Sequence, residues 1–250
     1  MSSLERGLDI LDLLASAEEG MGFSEIARAL VIPKPSLARI LRTLVAKGFI
    51  SRDVITKRYR LSPKFIRIGN VLLERIDLRG AAREVMLSLS YATRETVELT
   101  TLDRDQLILI DQIESPEGIR LHQHIGSAYP YFHSNAVGKV FLTYMDPQKR
   151  RNVLKKIGLP QITEYTITDI DELERDLERV REKGYAFEDQ ELRLGLRRVA
   201  SPIFNHEKRV IGCLSVAGPS FRMDLRKKDE IGQLVREKAK EVSRRIGAEV

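Results

Sequence analysis

The sequence predicts an α+β chain: a small N-terminal domain of three helices closed by a β-hairpin, then a linker helix, then a larger C-terminal domain with a mainly antiparallel sheet flanked by helices. Three observations carry that expectation. Apolar residues recur at helical spacing up to Gly48 and then alternate around Tyr59, so the period changes from that of helices to that of strands. Past Gly80, runs of strand composition are interleaved with amphipathic runs. Bases are also gathered into one segment. From Val31 to Arg67 there are ten bases against one acid, a net +9 in a chain whose total is +6, which leaves −3 for the remainder. A basic patch confined to one short segment is the footprint of a phosphate-bearing partner, whereas evenly spread charge would serve solubility alone. The expected boundaries are residues 1–62, 63–79 and 80–250.

The first helix is expected from Leu4, Leu8, Leu11 and Ala15, a stripe one turn apart that ends near Glu18, Glu19 and Gly20. Ser24 stands where an N-cap is expected for a second, shorter helix carrying Ile26, Ala27 and Leu30. Val31, Ile32 and Pro33 break the chain, and a third helix starts at Lys34 or Pro35, where proline in the first turn loses no useful N–H. Its apolar set is Leu37, Ile40, Leu41, Leu44 and Val45. Arg39 and Arg42 point away from that stripe, Ser36 and Thr43 flank them, Lys34 marks the amino end, and Gly48 stops the helix. FISRDVITKRYRLSP then alternates around a turn, with Tyr59 and Leu61 on one side and Arg58 and Arg60 on the other. Two short helices, the second offering bases and hydroxyls outward, followed by a hairpin, make a winged helix-turn-helix sized for the major groove. After Pro63, the stripe Phe65, Ile68, Leu72, Leu73 and Ile76 predicts the linker helix.

In the C-terminal part, residues 81–92 are helical in character, while TVELTTL, QLILIDQI and IRLHQHI have strand composition between turn signals. Residues 136–145 and 169–183 read as helices, and RRVASPIF and VIGCLSVA as two late strands before a charged terminal helix. Ser134 and Asn135 can cap the helix entered by Ala136, Val137 and Gly138, whose free N–H groups and dipole favour a carboxylate or phosphate. The competing reading is an ordinary capped helix with no ligand.

The bulk numbers bound the rest. With 250 residues and 42% of them apolar, the chain can bury two real cores. One cysteine, Cys213, leaves no intrachain disulfide and no multi-cysteine zinc site, and points to a reducing compartment. The opening MSSLERGLDILDLLASAEEG lacks the unbroken apolar block of a secretory signal, and no apolar run approaches the roughly 18 residues that span a bilayer. A cytoplasmic protein with no membrane partner is expected.

Three blocks in order, IPKPSLARILRTLVAKGFI, YFHSNAVGKVFLTYM, and VREKGYAFEDQELRLGLRRVASPIFN with VIGCLSVAGPSFRM, resemble the IclR family of bacterial regulators. The resemblance spans essentially the whole chain. It implies a dimeric or tetrameric repressor or activator whose C-terminal half has a GAF-like fold that binds small effectors. By position it implies DNA contact at Lys34, Ser36, Arg39 and Arg42, with the wing at Lys57 and Arg58, and effector contact at Ala136, Val137, Glu188, Arg198 and Ser215. Two departures matter. Pro35 stands where the family usually has a small hydroxyl residue, which shifts weight to Ser36, and Arg198 stands where it usually has cysteine, so pocket chemistry does not transfer. Arg198 is either a buried cation aimed at an anionic effector or a cation permanently neutralised by Glu188 or Glu191.

His122 and His124 share one side of an expected strand, with His133 nearby, so metal binding and ordinary packing both stand as readings, the second favoured. Cys213, inside an apolar run, reads as a core thiol. No cofactor and no metal are expected. The sequence carries no nucleophile elbow, glycine-rich phosphate loop or histidine-glutamate zinc motif, which argues against an enzyme. The expected function is control of an operator in duplex DNA by a self-associating protein that senses a small carboxylate. The alternative is an architectural DNA-binding protein whose C-terminal half only oligomerises.

Overall fold

A computed structural model describes residues 2–68 and 77–249. The chain divides into two compact units, Met1–Arg75 and Ile76–Val250. The stretch 64–68 is helical, whereas Leu72, Leu73 and Ile76 of the expected linker helix lie outside the described residues.

The first unit contains α1 (Ser3–Ala15), α2 (Phe23–Ala29), α3 (Lys34–Ala46) and an antiparallel pair, β1 (Ile50–Arg52) and β2 (Tyr59–Leu61). Ile10, Leu14, Ile26, Leu37, Leu41 and Ile50 form its core. Two local expectations are corrected. The buried face of α1 is Gly7, Ile10 and Leu14, while Leu4 and Leu8 stand 72% and 54% exposed, because α1 is apolar on two sides and only one meets the core. The N-cap of α2 is Gly22, not Ser24, and its N–H is taken by the Glu25 carboxylate at 2.8 Å, so the acid in the first turn supplies the cap in reverse. The hairpin is tied back to the helices at Met21 and Tyr59, which exchange both backbone hydrogen bonds. Gly20 makes that possible: with φ at +67° it takes the left-handed conformation, and a Cβ there would strike the Tyr59 carbonyl and the Arg60 side chain.

The second unit is a six-stranded antiparallel sheet in the order β5-β4-β3-β8-β7-β6. Its strands are β3 (Thr96–Asp103), β4 (Gln106–Ile113), β5 (Ala128–Tyr129), β6 (Ala186–Asp189), β7 (Leu196–Phe204) and β8 (Val210–Pro219). One face is covered by α4 (Asp77–Thr93) and α8 (Lys228–Arg245), which bury Val85, Met86 and Val235 against Leu99, Val199 and Val216. The other carries α5 (Ala136–Tyr144), α6 (Pro147–Ile157) and α7 (Ile170–Lys183), with Val140, Phe141 and Leu177 against Leu109, Ala200 and Cys213. Both faces are covered, so apolar residues occupy both sides of the central strands and simple alternation is lost.

The expected strand over IRLHQHI is absent; residues 120–124 form an extended loop held by Thr96 and by Gln112, whose side chains reach the Leu121 carbonyl and the Gln123 N–H. The loop's hydrogen bonds run to side chains and not to a neighbouring ladder, which strand composition alone cannot reveal. Helix α6 was legible but unread: Asp146 before Pro147 accepts from the Gln148 and Lys149 N–H groups at 2.9 and 3.0 Å, a cap followed by proline at the first position.

Candidate functional site

In the first unit, α3 buries Leu37, Ile40 and Leu41 and leaves Lys34, Arg39, Arg42 and Thr43 exposed, with Ser36 half-buried. Arg42 and Lys34 have no hydrogen-bond or ion-pair partner among the described residues, and Arg39 touches only the Ser3 hydroxyl, at 3.2 Å. Thr43 spends its hydroxyl on the Arg39 carbonyl one turn back, at 3.0 Å, so its outward methyl is what it offers. This is a cationic helix face held open to solvent.

The wing is built for rigidity at its turn. The Asp53 carboxylate accepts from the Thr56 N–H at 2.7 Å, the Thr56 hydroxyl at 3.0 Å and the Ile55 N–H at 2.9 Å, and these bonds hold its pKa below the ordinary value. Lys57 sits exposed beyond that turn. Arg58 differs from the expectation drawn from alternation. Its guanidinium donates to the Gly20 carbonyl and to Glu25, each at 2.9 Å, and so braces the hairpin against the start of α2. Alternation tells which side Arg58 faces, but not that α2 places an acid there.

In the second unit, strand periodicity puts Glu98, Glu188, Arg198 and Ser215 on the face covered by α5. Arg198 is 1% exposed, and it donates from Nε to Glu98 at 3.1 Å and from Nη1 to Glu188 at 3.0 Å. Its plane lies 5.1 Å from the centre of the Tyr129 ring. Burial alone would loosen its proton, but Glu98, Tyr129 and Glu188 outweigh that and hold its pKa above the usual arginine value. Glu188 is raised by burial against the opposing pull of Arg198, the Leu192 N–H, Lys139 and the Ala136 N–H. The N-terminus of α5, expected to receive an outside anion, therefore already has an internal carboxylate beside it. Of the two readings for Arg198, neutralisation within the chain is the one observed, with Glu98 as a partner that sequence reasoning missed. A glutamate in the middle of TVELTTL, on a strand otherwise made of apolar and hydroxyl residues, was the available signal. Glu191 is instead paired with Lys139 at 2.6 Å, and Lys139 also meets Asp176 at 2.8 Å.

Beside this cluster lies a cavity of about 360 Å³, bordered by Arg198, Arg193, Tyr129, Tyr131, Ile162 and Leu192, among others. Of the five expected effector residues only Arg198 borders it; Ala136, Val137, Glu188 and Ser215 are fully buried behind. Asn135 caps α5 by accepting from the Val137 N–H at 2.9 Å, and Gly138 lets the helix approach so closely that a Cβ would fall on the Phe132 carbonyl. The histidines are placed plainly too. His133 is buried and bonds to the Pro160 carbonyl at 3.0 Å, with burial pushing its pKa down, while His122 meets Glu114 at 2.9 Å in the loop. Cys213 is buried and burial raises its thiol well above the ordinary range.

Comparison with known proteins agrees with this architecture. Residues 3–54 match the IclR helix-turn-helix domain and residues 70–244 the bacterial transcriptional regulator IclR C-terminal domain. The chain is 31% identical over 247 residues to the transcriptional regulator KdgR of Dickeya chrysanthemi, covering 99% of this chain and 80% of that one. An IclR transcriptional regulator from Alicyclobacillus acidocaldarius superposes with a TM-score of 0.85 at 31% identity, covering 98% of each chain. An IclR homolog from Microbacterium hydrocarbonoxydans, solved in complex with 4-hydroxybenzoate, shares the fold at a TM-score of 0.84 and 22% identity over 98% of this chain and 99% of that one. With both domain models matched in order, the chain belongs to the IclR family of bacterial transcriptional regulators.

Proposed function

We propose that this regulator grips its operator through Lys34, Ser36, Arg39, Arg42 and Thr43 of α3 and Lys57 of the wing, and that a small anionic metabolite in the C-terminal cavity changes that grip. The observation that carries the reading is the outward side of α3, where cationic side chains stand exposed without acidic partners on a helix of 13 residues. A helix of that length fits the major groove, and arginine there can bind guanine in a bidentate manner. Arg58 is left out of the contact set because its hydrogen bonds are spent inside the domain.

The active form in this reading is a homodimer. Leu4, Leu8, Leu11, Leu44 and Phe49 line an apolar groove of about 550 Å³ between α1 and α3 whose wall also includes Arg39 and Thr43, and in this reading a second copy covers the exposed Leu4 and Leu8 and leaves Arg39 and Thr43 to the operator. Two-fold pairing sets two recognition helices about 34 Å apart, one turn of B-DNA. Residues 63–79 serve as the linker between DNA-binding and effector domains, and the protein works in the cytoplasm, where its operator is. No helix among the described residues is long and apolar enough to cross a membrane.

The test is selection of bound sequences from random duplexes, with and without an extract of cell metabolites. A palindromic consensus whose recovery changes with the extract is the expected result, and recovery of no consensus overturns the reading.

A further inference from the structure

The tip of the wing offers a second kind of contact, which rests on the operator reading above. Between β1 and β2 the chain turns through residues 53–58, and there Val54 and Ile55 stand 79% and 90% exposed. Neither joins the apolar core of its unit. The turn itself gives no reason for them, since tight turns favour glycine, asparagine, aspartate and serine over β-branched residues. Single exposed aliphatics are ordinary on a protein surface, but here two adjacent ones occupy the apex of a basic hairpin. They are also held still. The Asp53 N–H donates to the Arg58 carbonyl at 2.9 Å and the Lys57 N–H to the Asp53 carbonyl at 3.1 Å, with Lys57 in a left-handed conformation at a φ of +59°. The Asp53 carboxylate fixes the Ile55 and Thr56 N–H groups, and Arg58 ties the returning chain to Gly20 and Glu25. Valine and isoleucine have little rotational freedom of their own. Docking this tip therefore orders little that the fold has not ordered already.

Charge identifies what the tip meets. Its single acid, Asp53, is taken up by donors within the turn, whereas Arg52 and Lys57 on either side have no acidic partner among the described residues. Arg52 reaches only the Lys57 carbonyl, at 3.4 Å, and the Tyr59 ring. An apolar point between two free cations fits a polyanion with an uncharged floor, because phosphates take the cations while base edges lie between them. The minor groove of duplex DNA has that form, about 6 Å wide between its two phosphate chains. An aliphatic side chain accepts no hydrogen bond. On a G·C pair it would cover the guanine amino group and leave that donor unpaired, whereas an A·T pair presents no donor there.

We propose that Val54 and Ile55 seat in the minor groove beside the half-site read by α3, and that they select A·T over G·C pairs there by excluding the guanine amino group. Arg52 and Lys57 hold the phosphates on either side. The cations thus position the wing, and the aliphatic pair adds sequence preference outside the reach of α3.

The experiment is selection from random duplexes with the full chain and with its Val54→Ser/Ile55→Ser double variant. Binding is then titrated on the recovered consensus duplex and on two copies of it, with the flanking A·T pairs changed to G·C or to inosine·cytosine. Inosine·cytosine keeps the major groove of G·C but lacks the amino group in the minor groove. The unsubstituted chain is expected to recover a half-site flanked by A·T pairs. G·C in that flank should weaken its binding about tenfold, and inosine·cytosine by no more than about twofold. The double variant is expected to keep the half-site, to lose the flank preference and to bind the three duplexes within about twofold of one another. Its melting temperature should stay where it was, since the two side chains hold no part of the core. A flank preference that survives in the double variant overturns the proposal. So does inosine·cytosine that weakens binding as much as G·C, and so does a half-site recovered without an A·T flank; all three leave the operator reading standing. Recovery of no half-site by the unsubstituted chain overturns both.

Discussion

At the scale of single residues, the Arg198 cluster decides more than any other group. Removing its cation by Arg198→Met leaves Glu98 and Glu188 buried without a counter-charge and is expected to cost about 3 to 5 kcal/mol in urea unfolding. Glu98→Gln removes the surplus charge and keeps a hydrogen-bonding group, so its loss should be clearly smaller in the same measurement. Glu191 predicts a pH dependence. Burial, opposed by Lys139, raises its pKa from 4.5 to about 7, so the folded state holds the proton more tightly than the unfolded chain. That contribution is greatest below the unfolded value and is lost as pH rises through about 7. Glu191→Gln should abolish this decline, because Lys139 keeps Asp176 at 2.8 Å, and urea midpoints at pH 5 and pH 8 for both proteins check it. The sequence made Glu188 and Glu191 visible as candidates for Arg198 because all three lie close along the chain. Glu98 was not visible as a partner, since 100 residues separate it from Arg198 and only the strand order brings them together.

At the scale of elements, α3 and the wing carry different loads despite their shared basicity. Arg42→Ala should weaken operator binding by about 1 to 3 kcal/mol if the side chain reads a base, with thermal unfolding unchanged, because Arg42 holds nothing within the described fold. Arg58→Ala should do the reverse, lowering the melting temperature of the DNA-binding unit, since it removes the brace to Gly20 and Glu25. Helix α5 is constrained by contact with the chain that precedes it. Gly138→Ala forces a methyl onto the Phe132 backbone and should destabilise the effector unit by about 1 to 3 kcal/mol or more, measured by urea denaturation. The elements themselves were largely legible: β4 was read at its observed bounds and α3 at its observed start. Which side of α1 is buried is not legible in the sequence, because Leu4, Leu8 and Leu11 form as good a stripe as Gly7, Ile10 and Leu14, and spacing cannot rank two stripes on one helix.

At the scale of the whole molecule, the net +9 of Val31 to Arg67 lies in the helix-turn-helix unit that meets phosphates, while residues 76–250, the unit that meets a metabolite, are close to neutral with 29 bases against 28 acids. With about five phosphate contacts per subunit, a dimer should show a log-log salt slope near −9, and a slope near zero in an operator titration would contradict the proposed contact surface. A saturating effector should change operator affinity by about 5- to 150-fold, the range that a coupling of about 1 to 3 kcal/mol supplies. What the sequence determined by itself was the kind of most elements, the basic segment and the order of the family's blocks, because helical and strand spacing and local charge are properties of neighbouring residues. Which side of α1 enters the core, what neutralises Arg198 and where an empty cavity remains were decided only by tertiary structure. Those depend on which distant strands and helices become neighbours, and a buried charge is balanced by whatever partner the sheet places beside it.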